Sequence, residues 1–453
     1  MYENFVNEGR PQSEPEDADT RETYRRVTRR LFPFFLICYT LAYLDRVNIG
    51  FAQLQMQRDL GFSAAVYGLG AGVFFIGYVL LEVPSNLMLR KIGARKTFTR
   101  IMVLWGLISA SMMFVRTPVQ FYALRFLLGM AEAGFFPGMV LYFTYWFPRR
   151  RRAAMINVAT LGSCVAGVGG GIVSGAVMRY LDGIGGLSGW QWMFLVEGTP
   201  TVLMGIVAWF FLVDRPGSAR WLSDPQKEII AADLRASGED TTELHSRREM
   251  ILALRRPGLY VLSLIYFCLN AGIYTLGFWI PTIIRGFGVA DVFRIGLYTT
   301  IPYAFGAVAM FYMTRSSDRR EERRWHFAVS MTMGALALAL LTVSTKSFVV
   351  SMLLVTVSFP LIFGSLPIFW AAASAWLGGE VQAAGLAFVS SLGSIGAFVS
   401  PAVLGWIKTE TGSLNYGFYL VALTMVFASV LMLVMISPRR SIKPMRPVSQ
   451  KAI

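Results

Sequence analysis

Four ionisable residues stand where ionisable residues are costly. Asp45 and Arg46 are adjacent inside the first long apolar run, Leu31 to about Leu54, and Arg125 and Glu132 lie inside a later one. A charge at bilayer depth costs roughly 2.5–3.5 kcal/mol on insertion scales, so such residues are kept for a use. The spacing of Arg125 and Glu132 puts them on nearly the same helix face, about 10 Å apart along the axis. Asp45 and Arg46 diverge by about 100° and cannot pair closely with each other, so each needs a partner on another helix. Asp45 beside Arg125 is the natural cross-helix arrangement. The chemistry such a cluster offers is an exchange of a proton against an anion. Burial favours the neutral form of an acid, and a nearby guanidinium favours the charged one. A guanidinium whose carboxylate partner takes up a proton is released to hold another carboxylate, bidentately where geometry permits.

The elements that must position these residues are membrane helices. The chain is 55% hydrophobic and 15% charged, against about a quarter charged in soluble proteins. Its long apolar runs exclude a soluble domain, and their lack of alternation excludes a barrel. We read twelve spans, at about 31–54, 66–89, 98–115, 119–147, 153–178, 190–213, 258–284, 292–314, 326–344, 348–376, 381–406 and 414–437. The tenth is long enough to suggest tilt or a kink near Pro360 and Pro367. The fold class is all-α and polytopic, with twelve transmembrane helices in two pseudo-symmetric six-helix bundles. The expected divisions are a cytoplasmic tail at 1–30, bundles at 31–213 and 258–437, a cytoplasmic loop at 214–257 and a second tail at 438–453. That loop should hold a short amphipathic helix from Asp224.

The net charge of +15 is no nucleic-acid footprint. Of 42 Lys and Arg, 33 fall in alternate loops and termini, seven on the other side, and Arg46 and Arg125 within spans. That is positive-inside asymmetry with both termini cytoplasmic. Residues 1–30 lack the apolar core of a signal peptide. Cys38, Cys164 and Cys268 fall in apolar runs and read as buried hydrophobes. The halves echo each other: Ser174-Gly-Ala-Val177 recurs as Ser400-Pro-Ala-Val403, and the loop Asn86–Lys96 has a counterpart at Thr314–Arg324. Similar offsets near half the chain length mark two parallel repeats.

Five passages carry a family resemblance. They are Tyr43-Leu-Asp-Arg-Val-Asn-Ile-Gly50, Phe75-Ile-Gly-Tyr-Val-Leu-Leu-Glu-Val-Pro-Ser-Asn86, Arg125-Phe-Leu-Leu-Gly-Met-Ala-Glu-Ala-Gly-Phe-Phe-Pro137, Gly189-Trp-Gln-Trp-Met-Phe-Leu-Val-Glu-Gly198 and Ser317-Asp-Arg-Arg-Glu-Glu-Arg-Arg-Trp-His326. Together they resemble the major facilitator superfamily, and within it the anion:cation symporters. The resemblance implies import of a carboxylate with protons by alternating access, in a bacterial inner membrane. It implies that Arg46 binds the substrate carboxylate, that Asp45 and Glu132 take up protons, and that Arg125 tunes them within the binding site. The loop motif departs from the superfamily: Arg90 stands where its first copy has an acid, and Glu321 where its second has Gly. Asp318 and Arg319 are the gating pair expected of the second copy. Arg95 and Lys96 read as cytoplasmic anchors in the first, with Arg95 part of the gate. Glu82 suits a gate or packing contact better than a proton site. Glu197, placed near the outer surface, reads as a satisfied structural carboxylate.

The C-terminal half holds almost no interior charge; Glu380 lies at a span edge. Substrate contacts there must come from Asn270 and Tyr274 in span 7, Trp370 and Ser374 in span 10, and Ser390, Ser391 and Ser394 in span 11. Few amides line these spans, which disfavours a polyhydroxylated sugar acid. The expected substrate is an aromatic carboxylate such as phthalate or 4-hydroxyphenylacetate, with tartrate or a sugar acid as the alternative. An enzyme is not expected: the chain has two histidines and no HExxH, CxxC or G-x-x-x-x-G-K-S/T motif. A channel or a transporter-like sensor is the reading from another class. No cofactor is expected beyond the coupling proton. The partners are a small organic anion and the lipid bilayer, and the chain is expected to act as a monomer.

Overall fold

The computed structural model describes residues 17–237, 247–343, 347–378 and 381–435. Among these residues, twelve helical stretches are long and apolar enough to cross a membrane. Spans 1–6 are Ala18–Leu60, Ala64–Ile92, Ala94–Phe114, Pro118–Thr144, Thr160–Tyr180 and Gly189–Phe211. Spans 7–12 are Pro257–Gly286, Val292–Arg319, Arg324–Leu341, Phe348–Leu377, Ala384–Thr411 and Asn415–Met435. We call the side where Ala18 and Met435 lie the basic face, after its arginines, and the other the opposite face.

Span 1 extends past the sequence-based boundary at both ends. Its helix starts at Ala18, so residues 18–30 are helical instead of tail. Tyr24 and Val27 are buried there, and Tyr24 packs on Phe147 at 6.0 Å. Asp19 in the first turn favours the helix N-terminus. Span 10 runs unbroken from Phe348 to Leu377 with both prolines inside. Span 4 is broken instead: one helix ends at Glu132 and the next starts at Phe135. Gly134 makes the break with φ +86, and a Cβ there would lie 2.4 Å from Ser85 Oγ, so the turn needs glycine. The amphipathic helix forms at Asp224–Ala236, started by a Ser223–Gln226 capping box.

Packing obeys the repeat. In the first half, span 3 packs on 6, 2 on 4 and 1 on 5; in the second, 9 packs on 12, 8 on 10 and 7 on 11. The halves meet along spans 2 and 11 and along spans 8 and 5, a pairing that maps onto itself when six is added to each span number. These are two six-helix bundles related by pseudo-symmetry.

The contacts between bundles gather toward the opposite face. Gly171 and Gly296 bring spans 5 and 8 so close that a Cβ on Gly296 would lie 2.0 Å from Gly171 O. Tyr67 donates to Phe278 O at 3.0 Å, Thr282 to Gln53 Oε1 at 3.0 Å, and Arg285 to Leu54 O at 2.6 Å. Arg179 pairs with Asp291 at 3.2 Å. The molecule is closed on that side.

Candidate functional site

The break in span 4 ends a helix at Glu132, and its carboxylate meets Arg46 of span 1. Arg46 Nε donates to Glu132 Oε1 at 2.8 Å, and Nη2 donates to the same oxygen. Glu132 Oε2 is buried without a hydrogen-bond partner. Phe74 and Tyr78 of span 2 lie under the guanidinium, with centroids at 5.7 and 5.1 Å. The Arg46 side chain is 15% exposed and that of Glu132 only 1%. Arg46 is thus the intramembrane cation that a solute can reach.

Asp45, on the other side of the same turn, has no cation. It accepts from Trp105 Nε1, from Ser109 Oγ at 2.5 Å, and from Asn48 Nδ2 at 3.2 Å. Asn48 also donates to Glu197 Oε2 at 2.9 Å, and Ser174 Oγ donates to Glu197 Oε1 at 2.7 Å. One amide therefore bridges two buried carboxylates on spans 1 and 6. Glu197 is satisfied, but it is buried within the bundle instead of lying at the surface.

Arg125 lies near enough to Asp45 to act on it electrostatically, as expected, but no ion pair or hydrogen bond joins the two. Arg125 is fully buried and donates to Gly70 O at 3.2 Å and Ala71 O at 3.4 Å on span 2, with Nη1 unpartnered. It shares the Phe74 ring with Arg46, at 5.1 Å. Geometry explains the difference: Trp105 and Ser109 on span 3 fill the space around Asp45, and span 2 carbonyls take the guanidinium. Sequence reading missed Asn48, Trp105, Ser109 and Ser174. Neutral donors in an apolar helix look like packing until their partners are known.

The second half contributes Tyr274 of span 7, whose hydroxyl lies beside Arg46 and whose ring meets Phe75 at 4.6 Å. Trp370 is half-buried against Tyr266, at 4.7 Å. Asn270 donates to Gly393 O at 3.2 Å, tying span 7 to span 11 where the latter's helix is interrupted. Ser394 bonds within its own helix to Ser390 O, and Ser390 is half-buried. Ser374 is not part of the cluster: it accepts from Gln382 at 2.6 Å at the basic end of span 10.

Toward the basic face, Glu82 accepts from Ser391 at 3.3 Å, a contact between the bundles. Arg95 anchors span 3 on the end of span 6, its N–H to Asp214 at 2.9 Å and its Nε to Leu212 O at 3.0 Å. Asp318 and Arg319 are exposed and make no ion pair among the described residues. The loop carboxylate with work to do is Glu322. It accepts from the N–H groups of Trp325 and His326 at 2.7 and 3.1 Å and from His326 Nδ1 at 2.8 Å. Partial burial opposes its ionisation, but these donors outweigh it and hold the carboxyl below its ordinary range. Arg323, also missed, donates to Ala371 O of span 10 at 2.9 Å. Glu321 sits at φ +50, a left-handed backbone that suits the Gly expected there. Glu380 lies outside the described residues.

A buried acid–base cluster between two six-helix bundles, closed on one side, is a transporter's architecture. The sequence pattern of the Major Facilitator Superfamily matches residues 35–375. The chain belongs to the Major Facilitator Superfamily. This member is a multi-pass membrane transporter and not an enzyme. It is 43% identical over 419 residues, 92% of its length and 95% of the relative's, to a protein of Agrobacterium vitis that carries the name of a tartrate transporter. Over 418 residues, 92% and 95% of the two chains, it is 42% identical to the metabolite transport protein NicT of Pseudomonas putida. In fold it is similar to a D-xylose–proton symporter, at a TM-score of 0.70 and 15% identity over 91% of this chain and 98% of that one.

Proposed function

We propose that this transporter imports a compact hydroxydicarboxylate of the tartrate kind together with protons. The supporting observation is the one-oxygen pairing of Arg46. Both its donors converge on Glu132 Oε1, and Oε2 has none. A proton added to Oε2 leaves that contact sterically intact but removes its ionic strength, because the pair loses one charge. Arg46, partly exposed between Phe74, Tyr78 and Tyr274, then takes a substrate carboxylate. Asp45 is the second proton acceptor, set apart from Arg46 by the 100° turn; its donors are neutral, and the Ser109 hydroxyl can turn to accept when the carboxyl is protonated. Arg125 raises the positive potential of the cluster without touching the solute.

The aromatic carboxylate expected first gives way here to the tartrate alternative. The A. vitis relative's name favours it, and a small dicarboxylate suits one accessible guanidinium with hydroxyls around it. With the basic face toward the cytoplasm of a bacterial inner membrane, the closed side is periplasmic and the site opens inward. The path lies within one chain, so a monomer suffices. Uptake into proteoliposomes tests the reading. Tartrate should accumulate with an inward proton gradient and not without one, and should be displaced by excess unlabelled tartrate but not by phthalate, 4-hydroxyphenylacetate or galactonate. Competition by phthalate alone would restore the aromatic reading, and accumulation indifferent to the gradient would remove proton coupling.

A further inference from the structure

Away from the transport site, a groove of about 650 Å³ opens between the basic ends of spans 1 and 6. Arg26, Arg29 and Arg30 line its head, spaced so that all three share one helix face. None of them makes an ion pair among the described residues, and no acid lines the groove. The guanidinium of Arg30 stacks on Phe211 at 4.5 Å and on Trp221 at 4.9 Å, which fixes it in place. Two donors at this head, Arg30 Nε and Trp221 Nε1, are buried with no acceptor. Seven residues further along span 1, about 10 Å deeper, the groove is walled by Ile37 and by Val207 of span 6, 49% and 43% exposed.

We infer that this groove holds an anionic phospholipid, its phosphate among the three arginines and its acyl chain along Ile37 and Val207. Positive-inside asymmetry needs basic residues on this face, but it does not need them gathered over a cleft with unsatisfied donors. An acceptor-rich head group at the mouth pairs with the exposed guanidinium groups of Arg26 and Arg29 and with the half-buried Arg30. The apolar wall below it selects an amphiphile over a soluble anion. A basic pocket between membrane helices is the setting in which anionic head groups bind, each cation near the surface adding attraction.

Native mass spectrometry of the full chain, released from nanodiscs of phosphatidylcholine mixed with phosphatidylglycerol, tests this. Wild type should retain phosphatidylglycerol in preference to phosphatidylcholine, and R26Q/R29Q/R30Q should retain it at least about tenfold less. R26Q/R29Q leaves the stacked Arg30 in place and should show a smaller loss of the same kind, which guards against misfolding of the triple variant. R90Q/K91Q/K96Q removes three charges elsewhere on the basic face and should retain lipid as wild type does. An equal loss in that control would assign the effect to the general surface charge and overturn the site. Displacement of the lipid by millimolar inorganic phosphate would overturn it in favour of a soluble-anion site.

Discussion

The two bundles share one architecture and divide the chemistry unequally. The first buries Asp45, Arg125, Glu132 and Glu197 around a partly exposed Arg46. The second carries neutral groups on spans 7, 10 and 11, of which Tyr274 lies beside Arg46. Charges in a low-dielectric bundle act on one another strongly, so under the proposed function their concentration on one side would couple proton and anion. A neutral partner bundle can close over the solute without a charge of its own to desolvate. On that proposal the first half drives, and the second selects and closes.

Variants that erase or transplant this division should rank by how much charge they disturb. The largest effect is expected of Arg46→Gln: uptake down at least about 100-fold, with thermal stability lowered because Glu132 is left as a buried unpaired charge, a loss of about 3–5 kcal/mol. Adding Glu132→Gln to it should restore the melting temperature but not transport. Asp45→Asn keeps its size and its contact to Ser109, so gradient-driven accumulation should vanish while exchange stays within about tenfold of wild type. In the neutral bundle the effects shrink. Tyr274→Phe should raise KM a few-fold at nearly unchanged kcat, from the loss of about one hydrogen bond, whereas Ser374→Ala should leave both alone. A large loss of kcat in Tyr274→Phe would move part of the driving chemistry across the interface.

Two smaller predictions concern the loop between spans 8 and 9. The Glu322 carboxyl is held below its ordinary range, so the stability it adds is present above its unfolded value of about 4.3 and is lost as pH falls through the lower folded value. The melting temperature of wild type should therefore exceed that of Glu322→Gln at neutral pH and converge on it in acid. Glu321→Gly relieves a left-handed non-glycine backbone and should stabilise the protein by about 1 kcal/mol or less, seen as a small rise in melting temperature. A fall would mean that the Glu321 side chain holds something.

Much of this was legible in the sequence because hydropathy and charge speak directly at bilayer depth. The adjacency of Asp45 and Arg46 already forced separate partners, and the loop arginines already gave a basic face. What the sequence left hidden depends on the third dimension. Glu132 was visible as a buried acid, but its pairing with Arg46 depends on the Gly134 break, which a continuous apolar run conceals. Arg125 stands near Asp45 as its position suggests, but its hydrogen bonds go to span 2 carbonyls, which every helix carries and no side-chain pattern marks. Trp105, Ser109 and Asn48 hold Asp45 through neutral groups that hydropathy counts as filler. Asp318 was read from a motif, yet Glu322 makes the contacts, since the turn at Glu321 aims that carboxylate at the start of span 9.

On the proposed mechanism, Glu132 yields Arg46 to the substrate when it is protonated. The most direct measurement is tartrate binding to purified Glu132→Gln and wild type from pH 5 to 8, with accumulation followed in proteoliposomes. The account predicts wild-type affinity that weakens as pH rises, affinity in Glu132→Gln that is much flatter with pH, and no gradient-driven accumulation by the variant. Accumulation by Glu132→Gln at the wild-type level, with the wild-type pH dependence of binding, would contradict it.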